Sequence, residues 1–162
     1  VTGADTIYAS NTSTLPIGGL AQASIRPDRL IGLHFFSPAE RMELVEVIRG
    51  AQTSDATLAA SLDFLSQLRK TPIVVKDGRG FYTSRVVQFF INEGAAMVGE
   101  GIAPARIENA ARSIGFPVGP LALLDEVTID LPVTIHDQAQ SQESDIAEPA
   151  GLPTLRDRKS VV

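Results

Sequence analysis

The chain of 162 residues contains no cysteine, which excludes disulfide bonds, thiolate nucleophiles and cysteine metal sites. This absence fits a reducing compartment, and we expect a cytoplasmic location. No apolar run approaches the roughly 18 residues that a membrane span requires, and the first residues lack the basic region and apolar core of a signal peptide. The net charge is −5. Proteins that bind nucleic acids or anionic membranes usually do so through clustered lysines and arginines, so this charge argues against such partners. We therefore predict a globular protein with no nucleic-acid partner and no membrane span.

A glycine loop for binding phosphates is also missing. The pattern G-x-G-x-x-G, whose backbone amides hold the pyrophosphate of a dinucleotide at a helix N-terminus, occurs nowhere in the sequence. Gly78-Arg79-Gly80 lacks the third glycine. The sequence begins with Val1, and residues 6–9 already read as a strand, so we expect the chain to be part of a longer polypeptide.

Hydrophobic patterning predicts an α/β region followed by helices. Short apolar runs predict strands at residues 6–9, 30–36, 44–48 and 73–75. Helical spacing of apolar residues predicts helices over 15–23, 53–70, 83–98, 104–114 and 121–127. In the second of these helices Thr53, Ser54 or Asp55 can cap the N-terminus, and the expected apolar face consists of Leu58, Leu62, Leu65 and Leu68.

The character of the sequence changes at the glycine-rich junction of residues 76–80. We place a domain boundary there, with an α/β domain at residues 1–76 and a helical domain at residues 77–162. In the second predicted helix after the junction, Ile107, Ala111 and Ile114 share a face. The tail from Asp137 is polar and shows no periodicity, so we expect it to be loosely held or to be the edge of a domain that continues in a longer polypeptide.

His34 and Glu46 each interrupt a strand-like apolar run, where a polar side chain is costly to bury without a partner. A hairpin centred on Glu40 places the two residues opposite each other, with Cβ atoms about 4.5–5.5 Å apart. A carboxylate at that distance fixes the imidazole tautomer and suits His34 to general acid/base chemistry. Two other interpretations remain open: a purely structural pair, or a Glu46 on the solvent face of an edge strand.

Two serines also lie at positions where a ligand contact and an ordinary structural role are both possible. Ser13 can be the N-cap for the helix that begins near Leu15, and Ser84 can cap the long helix that begins near residue 83. Composition alone does not choose between these roles.

Five segments together resemble the L-3-hydroxyacyl-CoA dehydrogenase family, in order and with consistent spacing over about residues 5 to 135. They are Ser10–Leu15, Arg29–Pro38, Glu43–Ile48, Lys76–Arg85 and Gly115–Pro120. The run Gly80-Phe81-Tyr82-Thr83-Ser84-Arg85 is most similar to the multifunctional fatty-acid β-oxidation proteins, which fuse this dehydrogenase to an enoyl-CoA hydratase. The resemblance implies the C-terminal half of a Rossmann-like NAD-binding domain at residues 1–76, followed by the family's helical domain, truncated, at residues 77–162.

The resemblance also implies a role for each candidate site residue. His34 matches the catalytic histidine that takes the proton of the substrate 3-hydroxyl while hydride leaves C3 for the nicotinamide, and Glu46 matches its acidic partner. Ser13 matches a serine that lies between the nicotinamide and the acyl-CoA substrate. Ser37 matches a cofactor contact and Ser84 a substrate contact, both at positions where many members carry Asn. A hydroxyl can still donate a hydrogen bond, but it is shorter than an amide.

The function that the resemblance implies is NAD-dependent oxidation of (S)-3-hydroxyacyl-CoA to 3-oxoacyl-CoA in fatty-acid β-oxidation, with no metal. The implied partners are an acyl-CoA substrate and a homo-oligomer, or a larger β-oxidation complex, formed through the helical domain. A stand-alone 3-hydroxybutyryl-CoA dehydrogenase and a non-catalytic structural member of the family remain as alternatives. Because the glycine loop is missing, we expect the 162-residue chain to be inactive by itself.

Overall fold

The computed structural model describes residues 3–142 and 146–161, which fall into two compact units, Val1–Arg85 and Val86–Val162. The first unit contains β1 (Tyr8–Ser10), α1 (Ile17–Ala23), a 3₁₀ turn (Pro27–Arg29), β2 (Leu30–Phe35), β3 (Leu44–Arg49), α2 (Asp55–Gln67) and β4 (Thr71–Lys76). The helix α3 (Thr83–Gly99) begins in the first unit and continues into the second. It is followed by α4 (Pro104–Ser113), α5 (Pro120–Val127), α6 (Asp130–Gln142) and α7 (Leu152–Val161).

The four strands form one mixed sheet in the order β1-β2-β3-β4. β1 is parallel to β2, β2 is antiparallel to β3, and β3 is parallel to β4. An α/β region followed by helices was predicted from the sequence, and this fold class is confirmed. The predicted domain boundary near residue 77 stays a prediction, since the two structural units divide eight residues later, within α3.

The two faces of the sheet carry different sets of side chains, because successive residues of a strand point to opposite sides. One face packs on Leu65 of α2 through the buried residues Ile31, Leu33, Val45 and Val47. On the other face, Ile17 of α1 packs with Ile48 and Phe81. His34 and Glu46 share the alternation of Ile48, so they lie on the face that α1 covers.

Gly32 allows α1 to pack closely against this face. A Cβ atom at Gly32 would lie 2.8 Å from Cβ of Ile48 and 2.9 Å from Cδ1 of Ile17. We therefore expect Gly32→Ala to lower the free energy of unfolding by about 1–3 kcal/mol, as overpacking of a core does. Gly19 in α1 has no atom within 4 Å of such a Cβ, so Gly19→Ala is the matched control and should raise stability by about 0.5–1 kcal/mol. Urea denaturation of both variants measures the difference, and equal stability would contradict the packing described here.

The core of the second unit is built by side chains from four helices, α3, α5, α6 and α7. Its buried members are Ile91, Ala95, Leu124, Val133, Leu152 and Leu155. The last two belong to α7, so the prediction of a loosely held tail from residue 137 onward is wrong for residues 137–142 and 146–161. The sequence did not predict α6 and α7, because each helix is polar overall and buries only a few apolar side chains. These are too few to give a helical pattern of apolar residues in the sequence. Residues 143–145 and 162 lie outside the described part of the chain.

Two predicted helices extend too far at their C-termini. Leu68 is 46% exposed and Ile114 is 76% exposed, whereas both were expected on buried faces. In each case the backbone turns into the left-handed region immediately afterwards, at Arg69 (φ 56°) and Gly115 (φ 102°). This conformation ends a helix, so the last apolar residue of each pattern points away from the core. The N-cap of α2 is Ser54, whose hydroxyl accepts a hydrogen bond from the Thr57 amide.

Within residues 3–142 and 146–161, none of the helices combines the length and apolar character that a bilayer crossing requires.

Candidate active site

His34 and Glu46 form a buried pair in the β2–β3 hairpin. They are directly opposite in the strand register, as the sequence predicted, and that prediction is confirmed. Nδ1 of His34 lies 2.7 Å from Oε2 of Glu46. His34 is 7% exposed and Glu46 is 0% exposed, so this is a central pair in the sheet and Glu46 does not lie on a solvent face.

The Glu46 carboxylate also accepts hydrogen bonds from the beginning of α3. Oε1 accepts from the backbone amides of Tyr82 at 3.0 Å and Thr83 at 2.9 Å. Oε2 accepts from the Thr83 hydroxyl at 2.6 Å, in addition to its contact with His34. Both oxygens of a buried carboxylate are thus satisfied, which is what makes burial of a charged group tolerable.

These contacts decide the protonation state of Glu46. Burial acts to raise the pKa of the carboxyl group, but the hydrogen bonds from Thr83, His34 and Tyr82 together outweigh it and hold the pKa below its ordinary value. An ionised carboxylate can only accept hydrogen bonds, so Nδ1 of His34 must carry the proton. In neutral His34 the lone pair is then on Nε2, the atom that can act as a base.

Two aromatic rings border the imidazole. The ring centroids of Phe36 and Phe81 lie 4.5 Å and 6.3 Å from that of His34. These apolar neighbours limit the access of water to the imidazole ring.

Ser13 and Ser84 lie side by side. The Ser84 hydroxyl donates to the carbonyl oxygen of Ser13 at 3.1 Å, and the Gly80 amide donates to the carbonyl oxygen of Thr14 at 3.0 Å. The loop after β1 is therefore tied to the beginning of α3. Thr12, and not Ser13, accepts a hydrogen bond from the Leu15 amide, which leaves the exposed Ser13 hydroxyl available to a ligand.

The structure thus brings together four of the five predicted site residues through a chain of contacts. Ser13 touches Ser84, the neighbouring Thr83 touches Glu46, and Glu46 touches His34. Ser37 is different: it is exposed beyond the end of β2, and no hydrogen bond within the described residues joins it to the other four. The ligand contacts assigned to the three serines stay predictions.

Sequence reasoning missed three residues that support this site. Thr83 and the Tyr82 amide bind Glu46, and Asp77 accepts hydrogen bonds from the amides of Ile17 and Gly18 at the start of α1, both at 2.8 Å. An aspartate or threonine next to a glycine-rich turn is common in loops. Thr83 lies 37 residues from Glu46 and Asp77 lies 60 residues from Ile17. Contacts over such distances leave no periodic pattern in the sequence, so only the fold reveals them.

One edge of the sheet suits part of a dinucleotide site. β1 and β2 are parallel, so their carboxyl ends meet at the same edge, where open α/β sheets bind ligands. Asn11 after β1 accepts a hydrogen bond from the Phe35 amide at 2.8 Å and holds the two ends together. Ser13 and Ser37 follow these two strands. The connection from β1 to α1, residues 11–16, contains no glycine.

Two family patterns cover almost the whole chain. The NAD binding domain of 3-hydroxyacyl-CoA dehydrogenase matches residues 1–78, and the C-terminal domain of 3-hydroxyacyl-CoA dehydrogenase matches residues 80–159.

Sequence and structural relatives agree with these matches. The chain is 47% identical over 156 residues to the fatty acid oxidation complex subunit alpha of Shewanella sp. strain MR-7, covering 96% of this chain and 22% of that protein. It is similar to the structure of (S)-3-hydroxybutyryl-CoA dehydrogenase from Ralstonia eutropha, with a TM-score of 0.85, 39% identity and coverage of 98% of this chain and 56% of that one. The 3-hydroxybutyryl-CoA dehydrogenase of Escherichia coli gives a TM-score of 0.78 at 32% identity, covering 84% of this chain and 29% of that one.

The chain therefore spans about a fifth of the length of the curated relatives that it matches. With family patterns along nearly its full length, a Rossmann-like sheet and a buried His–Glu pair, the chain belongs to the 3-hydroxyacyl-CoA dehydrogenase family.

Proposed function

We propose that this chain supplies the proton-handling part of an NAD-dependent dehydrogenase that oxidises (S)-3-hydroxyacyl-CoA to 3-oxoacyl-CoA. The observation that carries the proposal is the buried pair of His34 and Glu46, whose hydrogen bond leaves Nε2 of His34 free to accept a proton. Removal of a hydroxyl proton near neutral pH requires such a base, together with a negative charge that stabilises it once protonated.

In the proposed reaction the substrate loses a proton from its 3-hydroxyl group and a hydride from C3. Nε2 of His34 takes the proton of the 3-hydroxyl group, and the electron pair of the O–H bond becomes the second bond of the new carbonyl group. The hydrogen on C3 leaves as hydride, for which bound NAD⁺ supplies the two-electron acceptor. Glu46 stabilises the imidazolium that forms, and His34 later releases its proton to solvent. Ser13 and Ser84 would contact the substrate, and Ser13 and Ser37 the cofactor.

Two broader statements, on metabolic role and on location, belong to the same proposal. The relatives named as alpha subunits of a fatty acid oxidation complex support a role in β-oxidation within a multifunctional protein that joins a larger complex or homo-oligomer. A cytoplasmic location is consistent with the lack of cysteine.

The similarity to two 3-hydroxybutyryl-CoA dehydrogenases keeps a stand-alone short-chain enzyme as the second candidate. A non-catalytic role fits less well, because the chain retains both members of the His34–Glu46 pair.

A chimera tests the proposed activity. In it, this chain replaces the matching 56% of the Ralstonia eutropha enzyme, and the rest of that enzyme is retained. We expect NAD⁺-dependent formation of NADH with (S)-3-hydroxybutyryl-CoA and not with the (R) enantiomer, measured by absorbance. A folded chimera that forms no NADH with either enantiomer would contradict the proposal.

We also expect the 162-residue chain by itself to show no hydroxyacyl-CoA oxidation above background, because it lacks the glycine loop that holds the pyrophosphate. Isothermal titration with NAD⁺ and the same absorbance assay measure binding and turnover. Turnover by the purified chain would show that the glycine loop is dispensable and would overturn this expectation.

A further inference from the structure

The residues just before α3 form a tight turn that points backbone amides at Glu46. Gly80 and Phe81 both have left-handed backbone conformations, with φ of 71° and 46°. This conformation is unusual for phenylalanine and is kept only where surrounding contacts enforce it. Phe81 is 4% exposed and packs with Ile17 and Ile48. The buried ring fixes the turn, and the turn directs the amides of Tyr82 and Thr83 at Oε1 of Glu46.

The Thr83 hydroxyl binds the second oxygen of the Glu46 carboxylate, which these amides do not contact. It donates to Oε2 at 2.6 Å, and Oε2 is also the atom that contacts His34. Rotation about the last torsion of a glutamate side chain is soft, so the amides at Oε1 alone leave the position of Oε2 less well defined. With the hydroxyl in place, both oxygens are held from the α3 side and Oε2 stays in line with Nδ1 of His34.

We propose that Thr83 is a positioning residue of the active site, which through Glu46 keeps His34 in the tautomer with its proton on Nδ1 and its lone pair on Nε2. The role rests on the proposed function of His34 as the base. Among the described residues no hydrogen bond joins Thr83 to the imidazole, and its effect on catalysis is transmitted by the carboxylate that both contact.

Two variants separate the hydroxyl group from the shape of the side chain. Thr83→Val keeps the branched shape and the backbone amide but removes the donor, and Thr83→Ser keeps the donor. In the chimera, we expect Thr83→Val to lower kcat about three- to tenfold with little change in KM, since one hydrogen bond to a charged group is lost and the amides remain. Thr83→Ser should restore most of the rate.

A second measurement reports on the tautomer without any turnover. The chain has only two histidines, His34 and His136, so ¹⁵N-labelled histidine in the 162-residue chain gives a spectrum that a His34→Gln variant assigns. At a pH where the rings are neutral, wild type and Thr83→Ser should show a single Nδ1–H tautomer for His34. Thr83→Val should show a mixture of tautomers, with the signals of His136 unchanged.

The results distinguish the positioning role from the proposed function. A single His34 tautomer in Thr83→Val, with kcat equal to wild type, would overturn the positioning role even if His34→Gln were inactive. A mixture of tautomers in Thr83→Val, together with full activity of His34→Gln in the chimera, would uphold the positioning and overturn the role of His34 as base. If Thr83→Ser behaved like Thr83→Val, the hydroxyl would not be the determining group and the inference would fail.

Discussion

Replacement of His34 by glutamine is expected to lower kcat of the chimera by about 10²–10⁴-fold, the range attributed to general-base catalysis, with KM little changed. Glutamine can fill part of the space of the imidazole and hydrogen-bond Glu46, but it cannot take a proton from the substrate hydroxyl. Steady-state kinetics with (S)-3-hydroxybutyryl-CoA and NAD⁺ measure the effect.

The chain offers a matched control for this variant in its other histidine. His136 lies in α6 and is equally buried, at 7% exposure, so His136→Gln makes the same chemical change at a comparable depth. We expect its kcat to remain within about twofold of wild type. A fall of less than about 10-fold for His34→Gln, or an equal fall for both variants, would mean that His34 is not the base.

Replacement of Glu46 by glutamine is expected to have the largest effect on stability, lowering the free energy of unfolding near pH 7 by about 2–4 kcal/mol. Glutamine has nearly the same shape, but its amide group brings donors to a place where Tyr82, Thr83 and His34 already donate. At least one buried donor then has no acceptor. Urea denaturation of the 162-residue chain measures the loss.

The same substitution should change how stability depends on pH. The pKa of Glu46 in the folded chain lies below its ordinary value of 4.5, because the hydrogen bonds outweigh the effect of burial. Its stabilising contribution is therefore complete above the pKa of the unfolded chain and is lost as the pH falls through the lower pKa of the folded chain. The difference between wild type and Glu46→Gln should therefore shrink as the pH falls below 4.5.

Glu43→Gln is the control for these measurements, since Glu43 is exposed just before β3. We expect it to change stability by less than about 0.5 kcal/mol at any of these pH values. A constant difference between wild type and Glu46→Gln down to pH 3 would contradict an ionised, hydrogen-bonded Glu46.

The pairing of His34 with Glu46 could be predicted from the sequence because it follows from local rules. Two apolar runs with a short polar connection predict a hairpin, and the two-residue period of a strand determines which residues face each other. The same rules located the strands and most of the helices. The resemblance to a known family then implied which reaction the pair takes part in.

What the sequence could not predict depends on contacts between distant residues. The approach of Thr83 to Glu46 depends on a turn at Gly80 and Phe81 whose left-handed conformation is enforced by packing against Ile17 and Ile48. In the same way, α7 is held by two leucines that reach a core formed by other helices. Such contacts override local preference, and they leave no periodic pattern in the sequence.

The most direct test of the central claim, that His34 accepts the substrate proton, is single-turnover hydride transfer in the chimera as a function of pH, with and without His34→Gln. For wild type, we expect NADH formation to slow in acid, since a protonated imidazole ring cannot accept the hydroxyl proton. For His34→Gln we expect a slow rate without this acid dependence. If the acidic loss of rate persisted in His34→Gln, the proton acceptor would be another group and His34 would not be the base.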